Sequence, residues 1–163
     1  MAPRQDSGDL TSLRAATDED RPFLERVYAE SRSGELEATG WTEAQKMAFC
    51  QDQFAAQDQH YRLHYPQCEY LVIEHAGRPI GRLYVDRRPA EIRIVDIALL
   101  VTERGRGIGG HLMEDILAEG RQAGLPVRIH VERTNPARRL YDRLGFCLVE
   151  EGEVYDLLEG LPE

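Results

Sequence analysis

Residues 104–110 read RGRGIGG, and the fold turns on how that stretch is taken. Counted from Gly105, the run Gly105, Gly107 and Gly110 fits the G-x-G-x-x-G pattern of a dinucleotide-binding turn, with an apolar stretch before it and an amphipathic one after it. Counted from Arg104, it is Arg-x-x-Gly-x-Gly, a phosphate-gripping loop of another architecture. The flanking segments discriminate between the two.

Downstream, Ile108, Leu112, Met113, Ile116 and Leu117 recur at helical spacing as far as Gly124, and PVRIHV follows as a strand. Upstream, YLVIEH, PIGRLYVD and EIRIVDIALLV are rich in β-branched and aromatic residues and are separated by turns at Ala76-Gly77 and near Pro89, which predicts an antiparallel meander. The connection from IVDIALL through the helix to VRIHV is a βαβ unit, so those two strands run parallel. Asn135 as N-cap, Pro136 at the first helical position and Gly145 past the last turn bound a further helix. FCLVEE and VYDLLE, split by Glu151-Gly152, close the sheet as a hairpin.

Toward the N-terminus, residues 13–16 read as a short strand. Thr17-x-x-Asp20 and Thr42-x-x-Gln45 are capping signals that open two helices, the second reaching toward His60 or beyond. The order is β-α-α-β-β-β-α-β-α-β-β, an α+β fold with a mixed, mostly antiparallel sheet and about four helices. Residues 1–10 are expected to be a disordered head, and residues 11–163 a single domain.

This layout counts against the dinucleotide reading, which survives only through the glycine spacing. Thr102-Glu103-Arg104 intervene between strand and glycines, and the thirty or so residues after Glu132 cannot hold the further βα units of a doubly wound sheet. A P-loop fails as well, because no Lys-Ser or Lys-Thr follows the glycines. An anion site at a helix N-terminus remains: unpaired amides and the helix dipole meet a diphosphate, and glycines let it approach.

Composition sets the outer bounds. The chain has 163 residues, 42% apolar and 30% charged, with no apolar run long enough to cross a membrane. The net charge of −9 argues against nucleic acid as a partner and slightly for a cationic one. Cys50, Cys68 and Cys147 lack metal-ligand spacing, and the start MAPRQDSGDL lacks an export signal, so a reducing cytoplasm is expected. His60 and His64 are spaced as a metal-binding pair, but no third ligand follows and no metal is expected. Arg87, Arg88 and Arg93 read as exposed hairpin charge.

RGRGIGGHLM followed by NPARRLYDRLGF resembles the GCN5-related N-acetyltransferase (GNAT) family, whose loop is Q/R-x-x-G-x-G/A and whose later helix often reads N-P-A-x-x-L-Y-x-x-x-G-F. The resemblance covers residues 13–158 in element order, and its specific motifs lie within residues 95–146. It implies that the central parallel strand pair splays apart and that acetyl-CoA, as co-substrate, enters the gap. Backbone groups of Ile97, Ala98 and Leu99 would meet its pantetheine arm, with the Leu99 amide aimed at the thioester oxygen. Residues 104–110, namely Arg104, Gly105, Arg106, Gly107, Ile108, Gly109 and Gly110, would hold the pyrophosphate. Asn135 matches a residue close to the cofactor, although N-capping explains it equally well, and Arg138 and Arg139 are in reach of the 3′-phosphate.

Tyr141 matches the family's acid, which protonates the departing thiolate; the alternative is helix packing against Leu140 and Leu144. For the base, Asp96 and His130 are the candidates. His130 lies five residues before Asn135, where some relatives carry Glu, yet a surface-facing strand residue and a structural carboxylate are the simpler readings of the two. The implied reaction is direct acetyl transfer to a primary amine in a ternary complex. A non-catalytic acyl-CoA-binding regulatory module is the alternative. The acceptor would be an amine-bearing small molecule or a protein N-terminus or lysine, chosen by residues 31–41 with Glu35, Glu37 and Trp41, and family habit suggests a homodimer.

Overall fold

The protein is represented by a computed structural model, which describes residues 10–161. Apart from Leu10, the expected disordered head lies outside the described residues. Seven strands, β1 (Thr11–Ala15), β2 (Glu69–His75), β3 (Arg78–Arg87), β4 (Ile92–Leu99), β5 (Val127–Glu132), β6 (Cys147–Glu150) and β7 (Tyr155–Gly160), form one sheet in the order β1-β2-β3-β4-β5-β7-β6. Among the described residues only β4 and β5 run parallel. The 16-residue helix between them supplies the crossover that a parallel pair requires. The expected meander and closing hairpin are both present, with β7 inserted between β5 and β6.

The helices are α1 (Arg21–Ser31), α2 (Ser33–Glu37), α3 (Glu43–His64), α4 (Ile108–Ala123) and α5 (Arg138–Arg143), one more than the sequence pattern predicts. The extra one, α2, is a single short stretch whose Leu36 joins Leu24, Tyr28, Cys50 and Phe54 in a small core between α1 and α3. Its five residues are too few to show a helical hydrophobic period. Thr42 caps α3, accepting from the Gln45 amide at 3.1 Å while Gln45 Oε1 accepts from the Thr42 amide at 2.9 Å. Thr17 and Asp20 form the other capping box, but it opens a 3₁₀ turn, Asp18–Asp20, that feeds α1.

Side-chain alternation divides the work between the two faces of the sheet. Leu83, Val85, Ile92, Ile94, Ile129 and Val131 share the main core with Leu112, Met113 and Ile116 of α4, and with Tyr141 and Phe146. On the other face Tyr84 meets Tyr61 of α3 edge-on at 5.8 Å, and Tyr28 of α1 meets Phe54 of α3 at 6.3 Å. Each buried apolar core residue contributes about 1.5–3 kcal/mol, so both faces of the sheet are held by packed side chains.

Candidate active site

At the centre of the sheet β4 and β5 part. Their pairing consists of Ile92 with Val127, Arg93 with Arg128 and Ile94 with Ile129. Beyond these, β4 follows β3 to Leu99 and β5 follows β7 to Glu132, so a gap opens between them. The cause is local. Tyr84 faces Asp96 while Val85 faces Ile94, which makes Val95 an extra residue, and a bulge of this kind bends its strand.

The gap leads into a cleft of about 1800 Å³. Backbone alternation decides which groups of β4 face it. The Leu100 amide donates to Ile80 of β3 at 2.9 Å, so the Ala98 groups also point to β3, whereas those of Ile97 and Leu99 point into the gap. Of the three residues expected to offer backbone contacts, Ala98 thus directs its main-chain groups to the sheet, although it too lines the cleft. Gly81 shows how tight that side is, since a Cβ there would stand 2.4 Å from the Ala98 carbonyl oxygen.

After β4 the chain makes a 3₁₀ turn, Val101–Glu103, and enters α4 through the glycine loop. Gly105 and Gly107 have φ of 77° and 80°, left-handed values that glycine adopts without side-chain cost. A Cβ at either would meet nothing within 4 Å, so the backbone dihedral, not crowding, demands glycine. Gly107 is the N-cap of α4 and has no side chain to cap with. The Ile108, Gly109 and Gly110 amides thus lack the carbonyl partners that later turns have, and these residues line the cleft. Free amides at a helix start are groups to which an anion can bind. The Arg104 Nε donates to the Leu99 carbonyl at 3.1 Å and lines the cleft; the Arg106 guanidinium instead pairs with Glu103 at 2.8 Å and is not among the lining groups.

Tyr141 of α5 lines the same cleft, although it is only 4% exposed. Its ring packs edge-on against Phe146 at 5.7 Å. Burial first, and the Asp96 carboxylate second, push its phenol up to about 12. The packing and cleft-facing readings of Tyr141 are therefore compatible. Asn135 is not the N-cap of α5, a position held by Ala137. Its Oδ1 accepts from the Ala137 amide at 2.8 Å and its carbonyl from the Arg138 amide at 3.0 Å, so it closes a turn two residues earlier, at the edge of the cleft. Pro136 occupies that turn and not the first helical position. Arg138 does not line the cleft, because Asp156 holds its guanidinium at 2.9 Å.

Asp96 and His130 reach the cleft from the two diverging strands. Asp96 pairs with the Arg82 guanidinium, which is 3% exposed, donates to Gln57 Oε1 at 3.0 Å and stacks over Tyr84 at 5.0 Å. His130 Nδ1 lies 2.9 Å from an Arg93 nitrogen. Desolvation, followed by the Arg93 charge, holds its imidazole below the usual histidine range. Arg93 is thus no exposed hairpin charge: its side chain is 12% exposed and bound to Glu91. At the end of α3 the His60 and His64 rings meet at 4.3 Å, and no group of three or more His, Cys, Asp or Glu that could hold a metal occurs among the described residues.

Sequence reasoning missed the wall opposite the loop, made by Tyr28, Arg32, Gln57, Tyr61 and Arg82. Burial and the Asp96 carboxylate push the Tyr61 phenol up, so it stays protonated beside that carboxylate. The only linear signal was a charged residue, Arg82, in the middle of a strand whose neighbours are apolar. Of the loop residues noted, Glu35 lines the cleft and pairs with Arg32 at 3.0 Å, while Glu37 pairs with Lys46 and Trp41 packs on Phe49.

The site is thus a seven-stranded mixed sheet that opens at its parallel pair beside a glycine-rich helix N-terminus. The sequence pattern of the Acetyltransferase (GNAT) family matches residues 22–146, and the chain belongs to that family. Among solved structures, the chain is similar to the PaiA N-acetyltransferase from Thermoplasma acidophilum in complex with coenzyme A, with a TM-score of 0.70 and 15% identity over 93% of this chain and 98% of that one. It is also similar to an acetyltransferase from Thermus thermophilus, with a TM-score of 0.63 and 18% identity over 93% of this chain and 96% of that one. No curated protein matches it significantly. No helix among the described residues is long and apolar enough to cross a membrane. The uncapped amides of α4, the open space over Gly105 and Gly107 and the strand gap fit acetyl-CoA, the family's co-substrate.

Proposed function

We propose that the protein is a cytoplasmic N-acetyltransferase that moves the acetyl group of acetyl-CoA to a primary amine, on a small molecule or on a protein N-terminus or lysine, by direct attack in a ternary complex. The observation that carries this reading is the divergence of β4 from β5 after Ile94 and Ile129, beside the uncapped start of α4. Amides of residues 104–110 hold the diphosphate, and the gap-facing groups of Ile97 and Leu99 take the pantetheine arm. When bound, the thioester supplies the acyl group and a thiolate leaving group. The Leu99 amide donates to the thioester oxygen as charge builds there.

The amine nitrogen bonds to the carbonyl carbon, the carbon–sulfur bond breaks, and the sulfur leaves with the electron pair. Tyr141 donates its phenolic hydrogen toward that sulfur. The Asp96 carboxylate, oriented by Arg82, accepts the proton from the amine, directly or through water. Asn135 borders the cofactor, and the acceptor lies against Tyr28, Tyr61 and Arg82.

The test is an amine panel assayed with acetyl-CoA, alongside calorimetric titration of CoA. Acetylated product together with CoA binding supports the reading. CoA binding without acetylation of any amine would favour a non-catalytic acyl-CoA module, and absence of CoA binding would refute both.

A further inference from the structure

His130 follows Ile129, the last β5 residue paired with β4, and in β5 it sits opposite Leu157 of β7. Its neighbours Ile129 and Val131 belong to the core beneath α4, so by alternation its ring stands on the α1 and α3 side of the gap. Asp96 stands on the same side, because it is opposite Tyr84. The two residues thus flank the mouth of the gap from its two strands, on the acceptor side.

The ring's hydrogen bonding is fixed by its partner. A guanidinium only donates, so the 2.9 Å contact makes His130 Nδ1 the acceptor from Arg93. Arg93 cannot relinquish that role easily, since Glu91 takes its Nε at 2.8 Å and another of its nitrogens at 3.4 Å. Glu91 in turn lies 3.6 Å from Arg128 and 3.9 Å from Arg88. The chain Glu91, Arg93, His130 therefore selects one neutral tautomer, with the hydrogen on Nε2. A base needs a lone pair, and the imidazole's only one is already engaged. What His130 offers the cleft is an N–H.

We propose that His130 is a specificity-determining hydrogen-bond donor, whose Nε2–H binds an oxygen of the acceptor, and that Glu91 and Arg93 are the residues that position it. The favoured acceptors then carry a carbonyl or carboxylate oxygen close to the reacting amine, as an α-amino amide, an amino acid or a peptide N-terminus does. This rests on the acetyl-transfer reading above. It also removes His130 from the base role and leaves Asp96 as the carboxylate facing the amine.

The test has a spectroscopic and a kinetic arm. In full-length protein labelled with ¹⁵N-histidine, long-range proton–nitrogen correlation should show His130 protonated at Nε2 and bare at Nδ1 near neutral pH. With CoA present, phenylalaninamide should move the Nε2 resonance and phenethylamine should not. In steady-state acetylation, phenylalaninamide should surpass phenethylamine by roughly tenfold, chiefly in KM. The substitution His130→Ala should collapse that preference, and His130→Gln, which keeps a donor, should restore part of it. Phenylalanine as a third substrate distinguishes a carboxylate from an uncharged carbonyl. A proton on Nδ1, or a preference unchanged by His130→Ala, overturns the proposal. If no amine is acetylated, the transfer reading falls, and the amine-induced shift at Nε2 still decides for or against the donor role.

Discussion

A phenol held at about 12 is a weaker acid than a thiol, whose ordinary value is near 8.5. In the proposed reaction Tyr141 would therefore assist the leaving sulfur mainly by hydrogen bonding as negative charge accumulates, with full proton transfer late or shared with solvent. Because its ring also packs on Phe146, Tyr141→Phe keeps the buried surface and removes only the hydroxyl. Turnover should fall on the order of a hundredfold while the calorimetric Kd for CoA changes less than about twofold. An unchanged kcat would remove Tyr141 from the acid role. Residues of this kind were legible because they sit inside linear motifs. The partnership of Arg82 with Asp96 was not, since it joins two strands through a register that includes a bulge, and no spacing along the chain encodes a bulge. His130 was legible as a candidate, but its tautomer depends on Arg93, thirty-seven residues away.

At the level of elements, the glycine loop separates two demands that sequence alone merges. Gly107 needs its left-handed φ of 80°, whereas a Cβ on Gly109 would rest 3.8 Å from the Leu99 side chain, an ordinary contact. Chemical denaturation should show Gly107→Ala losing about 1–2 kcal/mol and Gly109→Ala staying within about 1 kcal/mol of the parent. Both should weaken CoA binding if a diphosphate rests on the first turn of α4; an unchanged Kd in Gly109→Ala would place the anion elsewhere. The cap of α5 was read two residues too early because Asn135 does cap something, a turn containing Pro136, and cap chemistry does not reveal which turn it closes. β1 is secured differently. Arg14 binds Asp20 at 2.8 Å and Glu74 at 2.9 Å, tying β1 to the turn before α1 and to β2. The hydrogen bond from Arg14 is the largest cause holding the Asp20 carboxyl down at about 2, against an ordinary 3.8. A depressed carboxylate stabilises the fold fully above 3.8 and ceases to do so as pH falls through 2. The melting-temperature difference between wild type and Asp20→Asn should therefore be largest above about pH 4 and shrink toward pH 2.

Across the whole molecule, the cleft exists because two antiparallel units share one short parallel seam. β1-β2-β3-β4 and β5-β7-β6 are each continuously paired, and three residue pairs join them. The order of elements along the chain and the βαβ crossover were readable from hydrophobic periodicity, which is why the overall class could be inferred, whereas the place of β7 between β5 and β6 was not. The length of the seam depends on where β4 bulges, which is a tertiary outcome. A ligand filling the gap adds contacts between the two units only in the folded state, so it must raise the melting temperature by stabilising that state by RT ln(1 + [L]/Kd). At about a hundred times its Kd, acetyl-CoA should contribute about 2.7 kcal/mol. For a chain of 163 residues this corresponds to a rise of roughly 5–10 °C. NADH also carries a diphosphate, but it has no pantetheine arm to enter between Ile97, Leu99 and β5. At equal concentration it should shift the melting point little, because α4 alone would hold only its phosphates. Equal shifts from both would mean that the glycine loop binds diphosphates without using the strand gap, and the sheet's divergence would then need another explanation.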